Sequence, residues 1–164
     1  MNSEELAEKL LQSYSIYYDV KTEDVREPFF AEAVFYNKDE QYFLVKSAKL
    51  SEVVSNEYVY FAKCGTLTEE LLTSLSDTAW DRALSGFVPE RGHKNSDVSL
   101  FILAEEIPKE TEKLVSRIKK YKSYQFTLLG FSRFSLVTID VSRKHACFNR
   151  VGRLLEKVVW DIIH

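Results

Sequence analysis

The stretch Asp97-Val98-Ser99-Leu100-Phe101-Ile102-Leu103-Ala104 decides the fold. A strand with one face in the core alternates apolar and polar residues. A nearly continuous apolar run such as this one belongs to a central strand buried on both faces. Helices are predicted on either side of it. Upstream, residues 68–84 have Thr68 as N-cap, Glu69 and Glu70 in an acidic first turn, and a stripe of Leu71, Leu72, Leu75, Ala79 and Ala83. Gly86 stands where a helix-ending glycine is expected. Downstream, Pro108 opens a helix predicted over 108–121, with Leu114, Val115 and Ile118 facing inward.

Further out, residues 3–14 form a helix whose apolar face is Leu6, Leu10 and Tyr14, with Asn2 and Glu5 at capping-box spacing. The segment Ile16–Val20 leaves it in extended form. A three-strand meander follows at 29–37, 41–49 and 57–64, rich in Phe, Tyr and Val. A turn at 38–40 would pair Tyr36 with Tyr42, Val34 with Leu44 and Glu32 with Lys46. Strands at 124–130 and 133–141, a short one at His145–Phe148, and a helix over 151–163 complete the chain. The order α-βββ-α-β-α-ββ-α predicts one α+β domain over 1–164. Its sheet is mixed, largely antiparallel and about six-stranded, with four helices packed on it.

Composition excludes several classes. The 164 residues include 11 Phe, 9 Tyr and 2 Trp but only 5 Gly and 3 Pro, a balance that suits regular structure. Two cysteines, Cys64 and Cys147, do not make a disulfide scaffold. The acidic start lacks a signal-peptide pattern, and no apolar run approaches the ~20 residues of a membrane span. A cytoplasmic protein with no membrane partner is expected. Net charge is −3, unevenly placed: 8 basic and 16 acidic residues lie in 1–86, against 14 and 9 in 87–164. Attraction between these halves, within one fold or a homo-oligomer, is the simplest account.

The candidate ligand- or anion-binding residues fall in two groups. Lys113, Arg117 and Lys120 continue a helical stripe from Lys109, the pattern of a phosphate-tracking surface or of a solvated helix face. Glu110 and Glu112 dilute it, so nucleic acid is the disfavoured partner. Asn149, Arg150 and Arg153 flank the start of the last helix, where an anion could sit; capping by Asn149 is the favoured role. His145 and Cys147 share one strand face, about 7 Å apart along the chain, but a metal site would need at least one more ligand. No metal and no cofactor is expected. Glu32 and Lys46 read as a cross-strand ion pair. No Gly-x-Ser-x-Gly, His-Glu-x-x-His, Cys-x-x-Cys or phosphate-loop motif occurs, and no catalytic residue is assigned. The rings and branched aliphatics read as the cement of one scaffold with no reactive centre threaded through it. A pocket between sheet and helices would have many tyrosine hydroxyls to orient a ligand.

Ala31-Glu32-Ala33-Val34-Phe35, Gln41-Tyr42-Phe43-Leu44-Val45-Lys46, Glu57-Tyr58-Val59-Tyr60-Phe61, Lys122-Ser123-Tyr124-Gln125-Phe126, and Asn149 with Gly152 carry a resemblance. From about Tyr17 to Lys157 the chain resembles an uncharacterised bacterial family, from Gram-positive anaerobes, of domains of unknown function. Gly130-Phe131 stands where that family has Gly-Trp. The resemblance implies a shared fold and no chemistry. The element order is also similar to a nuclease fold that places Glu-x-Lys on a strand, but the only such spacing is Asp19-Val20-Lys21. The expected function is therefore a soluble, non-enzymatic interaction or accessory domain, self-associating through opposite charge. Its alternatives are a small-ligand or nucleic-acid binder using the basic helix, and a nuclease-like enzyme with a degenerate site.

Overall fold

In the computed structural model the chain is described over residues 1–36, 54–85, 93–124 and 130–164. Helix α1 (Ser3–Ser15) leads to strands β1 (Asp19–Lys21), β2 (Ala31–Tyr36) and β3 (Val54–Thr66). Next come α2 (Glu69–Ser85), β4 (His93–Glu106), α3 (Lys109–Arg117), β5 (Tyr121–Ser123), β6 (Phe131–Asp140) and β7 (His145–Phe148). A 3-10 turn (Gly152–Leu155) runs into α4 (Glu156–Ile163). The strands form one sheet in the order β1-β2-β3-β4-β6-β5, with β7 also on β6. This is the expected α+β mixed sheet with one more strand. The predicted strand at 41–49, and with it the Tyr36–Tyr42, Val34–Leu44 and Glu32–Lys46 register, falls outside the described residues. Val34 lies between Asp19 and Tyr58, and Glu32 between Lys21 and Tyr60.

Four of the six pairings among the described residues are antiparallel, but the two longest, β3–β4 and β4–β6, are parallel. The reason is topological. A parallel neighbour needs a crossover, and α2 and α3 supply the two crossovers. Both pack on the same face, where Leu72, Leu75, Ala79 and Val115 meet Val98, Leu100, Ile102, Phe134 and Leu136. The opposite face is covered by the outer helices: Leu6, Leu10 and Tyr14 of α1 and Val159 and Ile163 of α4 pack on Val59, Phe61, Phe101, Leu103, Val137 and Ile139. β4 is thus sandwiched, as its apolar run requires. The capping box at α1 forms as predicted, with Asn2 and Glu5 exchanging hydrogen bonds of 3.1 and 2.9 Å.

The outer edge of β6 is covered in two pieces. β5 pairs Phe131 to Arg133, and β7 pairs Val137 to Asp140. Asn149 fills the interval. Its Oδ1 accepts from Leu136 N–H (2.9 Å) and Gly152 N–H (2.7 Å), and its Nδ2 donates to the carbonyls of Phe134 (2.9 Å) and Ile118 (3.1 Å). Its own N–H reaches Leu136 O at 3.1 Å. Gly152 is pressed so close that a Cβ would stand 2.4 Å from the Leu136 carbonyl oxygen. At the far end of β6, the buried Asp140 accepts from Ile107 N–H (3.0 Å), Ser142 Oγ (2.8 Å), Arg143 N–H (2.9 Å) and Arg143 Nε (2.9 Å). Burial alone would raise its pKa. The hydrogen bonds overcome that and hold it below the usual carboxylate range.

Two outcomes are expected in urea titrations. Asn149→Ala strands buried donors and carbonyls and should cost about 3 kcal/mol, and Gly152→Ala should also destabilise through its backbone clash; a loss below about 1 kcal/mol in Asn149→Ala would contradict the bridging role of Asn149. Asp140 stabilises the fold above its unfolded pKa of about 3.9, and that contribution disappears as pH falls through its lower folded value. Asp140→Asn should therefore flatten the acid limb of stability against pH.

Candidate functional site: a charged row across the parallel strands

The parallel registers align residues side by side. Glu57, Asp97 and Arg133 are ladder partners on β3, β4 and β6. The next row on the same face is Val59, Ser99 and Ser135, and the next Phe61, Phe101 and Val137. The face thus passes from charge, through hydroxyls, to rings. Tyr14 and Tyr18 from α1 and its exit, with Leu154 and Leu155 from the 3-10 turn, wall in the polar end. The enclosed cleft has a volume of about 250 Å³.

Arg133 grips Asp97 with both arms of its fork, Nε to Oδ1 at 3.2 Å and Nη2 to Oδ2 at 3.1 Å. That hydrogen bonding raises the guanidinium pKa against the opposing effect of burial. Tyr18 donates its phenol proton to Glu57 Oε2. Burial raises the Glu57 pKa most. The Tyr18 hydrogen bond pulls it down, Asp97 pushes it up again and Arg133 pulls it down, with a net rise. Both phenols titrate well above their ordinary value, first through burial and then through the Glu57 charge. Among the described residues Glu57 has no ion pair. Tyr14 Oη, Ser99 Oγ and Ser135 Oγ likewise carry no hydrogen bond there. Below them the rings of Tyr14, Phe61 and Phe101 pack with centroids 5.4 to 5.6 Å apart.

No reactive centre is expected in the scaffold from sequence, and no catalytic residue is assigned; the parallel register nonetheless brings Glu57, Asp97 and Arg133 into one row. The sequence did hold a signal. Three predicted strands each opened on a charged residue: Glu57, Asp97 and Arg133. The real strands start earlier, at Val54, His93 and Phe131, so those charges lie inside the sheet and in one row.

The predicted site residues lie elsewhere. Lys113 and Arg117 are exposed on α3. That helix ends at Arg117, because Ile118 is extended (ψ 123°). Lys120 is therefore off the stripe, and it pairs with Asp77 of α2 at 2.5 Å. Asn149 is buried, with its amide fully engaged by backbone, and Arg150 and Arg153 are exposed beyond it. None of the six lines the cleft.

A carboxyl with a raised folded pKa favours the fold while protonated and loses that advantage as pH rises through the raised value. Glu57→Gln should accordingly be more stable than the parent at pH 7, with the gap closing below the unfolded pKa of about 4.3. A Glu57→Gln protein less stable at pH 7 than at pH 4, relative to the parent, would contradict the assignment. No curated protein and no solved structure matches the chain. Residues 2–160, which contain the whole sheet and every residue of the cleft, match the family described as Domain of unknown function (DUF8052), and the chain belongs to that family.

Proposed function

We propose that this protein is a non-enzymatic accessory domain that binds a compact, ammonium-bearing small molecule in the cleft between α1, the 3-10 turn and the charged row. One observation carries the proposal. Among the described residues Glu57 is a carboxylate facing the cleft without an ion pair, while the guanidinium that lines the cleft, Arg133, spends its fork on Asp97. A half-buried carboxylate short of positive charge gains from a cation that arrives with its own donors. An ammonium group supplies three N–H donors for Glu57 and for the hydroxyls of Ser99, Ser135 and Tyr14. The 250 Å³ volume, below the usual pocket range of about 300–1,000 Å³, selects a small ligand. Asp97 and Arg133 neutralise each other and hold the rim.

The cleft itself favours binding over chemistry. Its lining holds no histidine or cysteine, and neither serine hydroxyl is hydrogen-bonded to a carboxylate among the described residues. Both cysteines are free thiols, which supports a reducing, cytoplasmic setting. The described helices include none long and apolar enough to cross a membrane.

Calorimetric titration with matched panels of small primary amines, carboxylates and polyols tests the assignment. Amines are expected to bind, with affinity rising as pH rises through the Glu57 pKa, because the cation favours the ionised carboxylate. Glu57→Gln should weaken the best amine by about ten- to a hundredfold, the worth of a charged hydrogen bond. Preference for carboxylates, or amine binding that Glu57→Gln leaves intact, would overturn it.

A further inference from the structure

A second group of side chains converges on the other face of the sheet, at its β7 edge. β7 lies antiparallel on β6, with His145 opposite Asp140 and Cys147 opposite Thr138. The two-residue period sends both side chains to one side. That side faces α3, and Glu112 projects from the first turns of that helix. Ligand atoms of Glu112, His145 and Cys147 all lie within 4.8 Å of one another. The sequence offered only the two strand residues; the β4–α3–β6 crossover delivers the third.

We propose that Glu112, His145 and Cys147 form a three-ligand site for a borderline-soft divalent transition ion, zinc foremost, with a fourth position open to water. The donor set is one thiolate sulfur, one imidazole nitrogen and one carboxylate oxygen, each a zinc ligand at about 2.0–2.3 Å. Donor atoms of a tetrahedral zinc centre stand about 3–4 Å apart, so modest side-chain rotation closes the triad around an ion. Hard cations such as magnesium and calcium prefer all-oxygen shells and are disfavoured by the sulfur and nitrogen.

The surroundings fit an ion. Arg143 pairs with Oε1 of Glu112 and leaves the second carboxylate oxygen without a hydrogen bond among the described residues. Arg143 is itself fixed by Asp140 (2.9 Å) and by the Ile107 carbonyl (3.0 Å), so it orients Glu112 as an outer-shell partner orients a metal ligand. His145 is exposed, with Trp160 edge-on at 6.1 Å, which keeps an approach from solvent. Cys147 is half-buried, and coordination expels its proton to solvent and leaves the thiolate on the metal.

The 164-residue chain, freed of metal, is titrated with cobalt(II) as a spectroscopic stand-in and then with zinc. One equivalent of cobalt should give a thiolate-to-metal charge-transfer band and the visible bands of a tetrahedral centre, and zinc should bleach both. Cys147→Ser should abolish the charge-transfer band, while Cys64→Ser and Glu57→Gln keep it. His145→Ala and Glu112→Gln should each weaken zinc by about tenfold or more, the least expected for losing a direct ligand. Circular dichroism confirms that each variant is folded. Absence of the band in the parent protein, its survival in folded Cys147→Ser, or its loss in Cys64→Ser would overturn the site. Because Glu57→Gln tests the cleft separately, failure at one face says nothing against the other.

Discussion

One side-chain amide holds the molecule to its plan. β6 is a long strand with a central parallel neighbour on one side and only fragments on the other. Between the fragments its backbone would be left with unpaired polar groups, each costing about 1–3 kcal/mol when buried. Asn149 supplies a donor and an acceptor there in the manner of a missing strand residue, and it simultaneously fixes the end of α3 and the start of the 3-10 turn. The position of Leu154 and Leu155 over the cleft follows from that clamp. Gly152 is part of the same device, since any side chain would collide with the strand it spans.

The two ends of the parallel strands treat charge in opposite ways. At the C-terminal end Asp140 receives four hydrogen bonds and is a satisfied structural anion. At the N-terminal end Glu57 receives one phenol proton and is left short of positive charge. A half-buried carboxylate kept in that condition weakens the fold at neutral pH. Such local costs are tolerated where a ligand relieves them. Parallel sheets usually place ligands outside the carboxyl ends of their strands. Here Asp140 and Arg143 are hydrogen-bonded to one another at that end, and the cleft lined by Glu57 lies at the other end.

Much of the architecture was legible from local pattern. The apolar run around Phe101 marked the buried central strand, the Asn2–Glu5 spacing marked the first cap, and Thr68 caps α2 through the Leu71 N–H at 3.1 Å. The cleft was not legible, because it depends on register. Glu57, Asp97 and Arg133 are far apart in sequence, and only parallel pairing with a definite stagger sets them in one row. The basic stripe misled because helix length is a tertiary matter. Ile118 turns extended to give its carbonyl to Asn149, and Lys120 is drawn to Asp77. For His145 and Cys147 the alternation of a strand located two ligands, while the third came from a helix whose docking no local rule encodes.

The walls of the cleft come from the outermost elements of the chain. Tyr14 and Tyr18 belong to the first helix and its exit, and Leu154 and Leu155 precede the last. On a ribosome the strands carrying Glu57 and Asp97 emerge well before the turn that roofs them. A nascent chain can thus assemble most of its central sheet while the cleft still lacks a wall, which closes only after Leu154 and Leu155 have emerged.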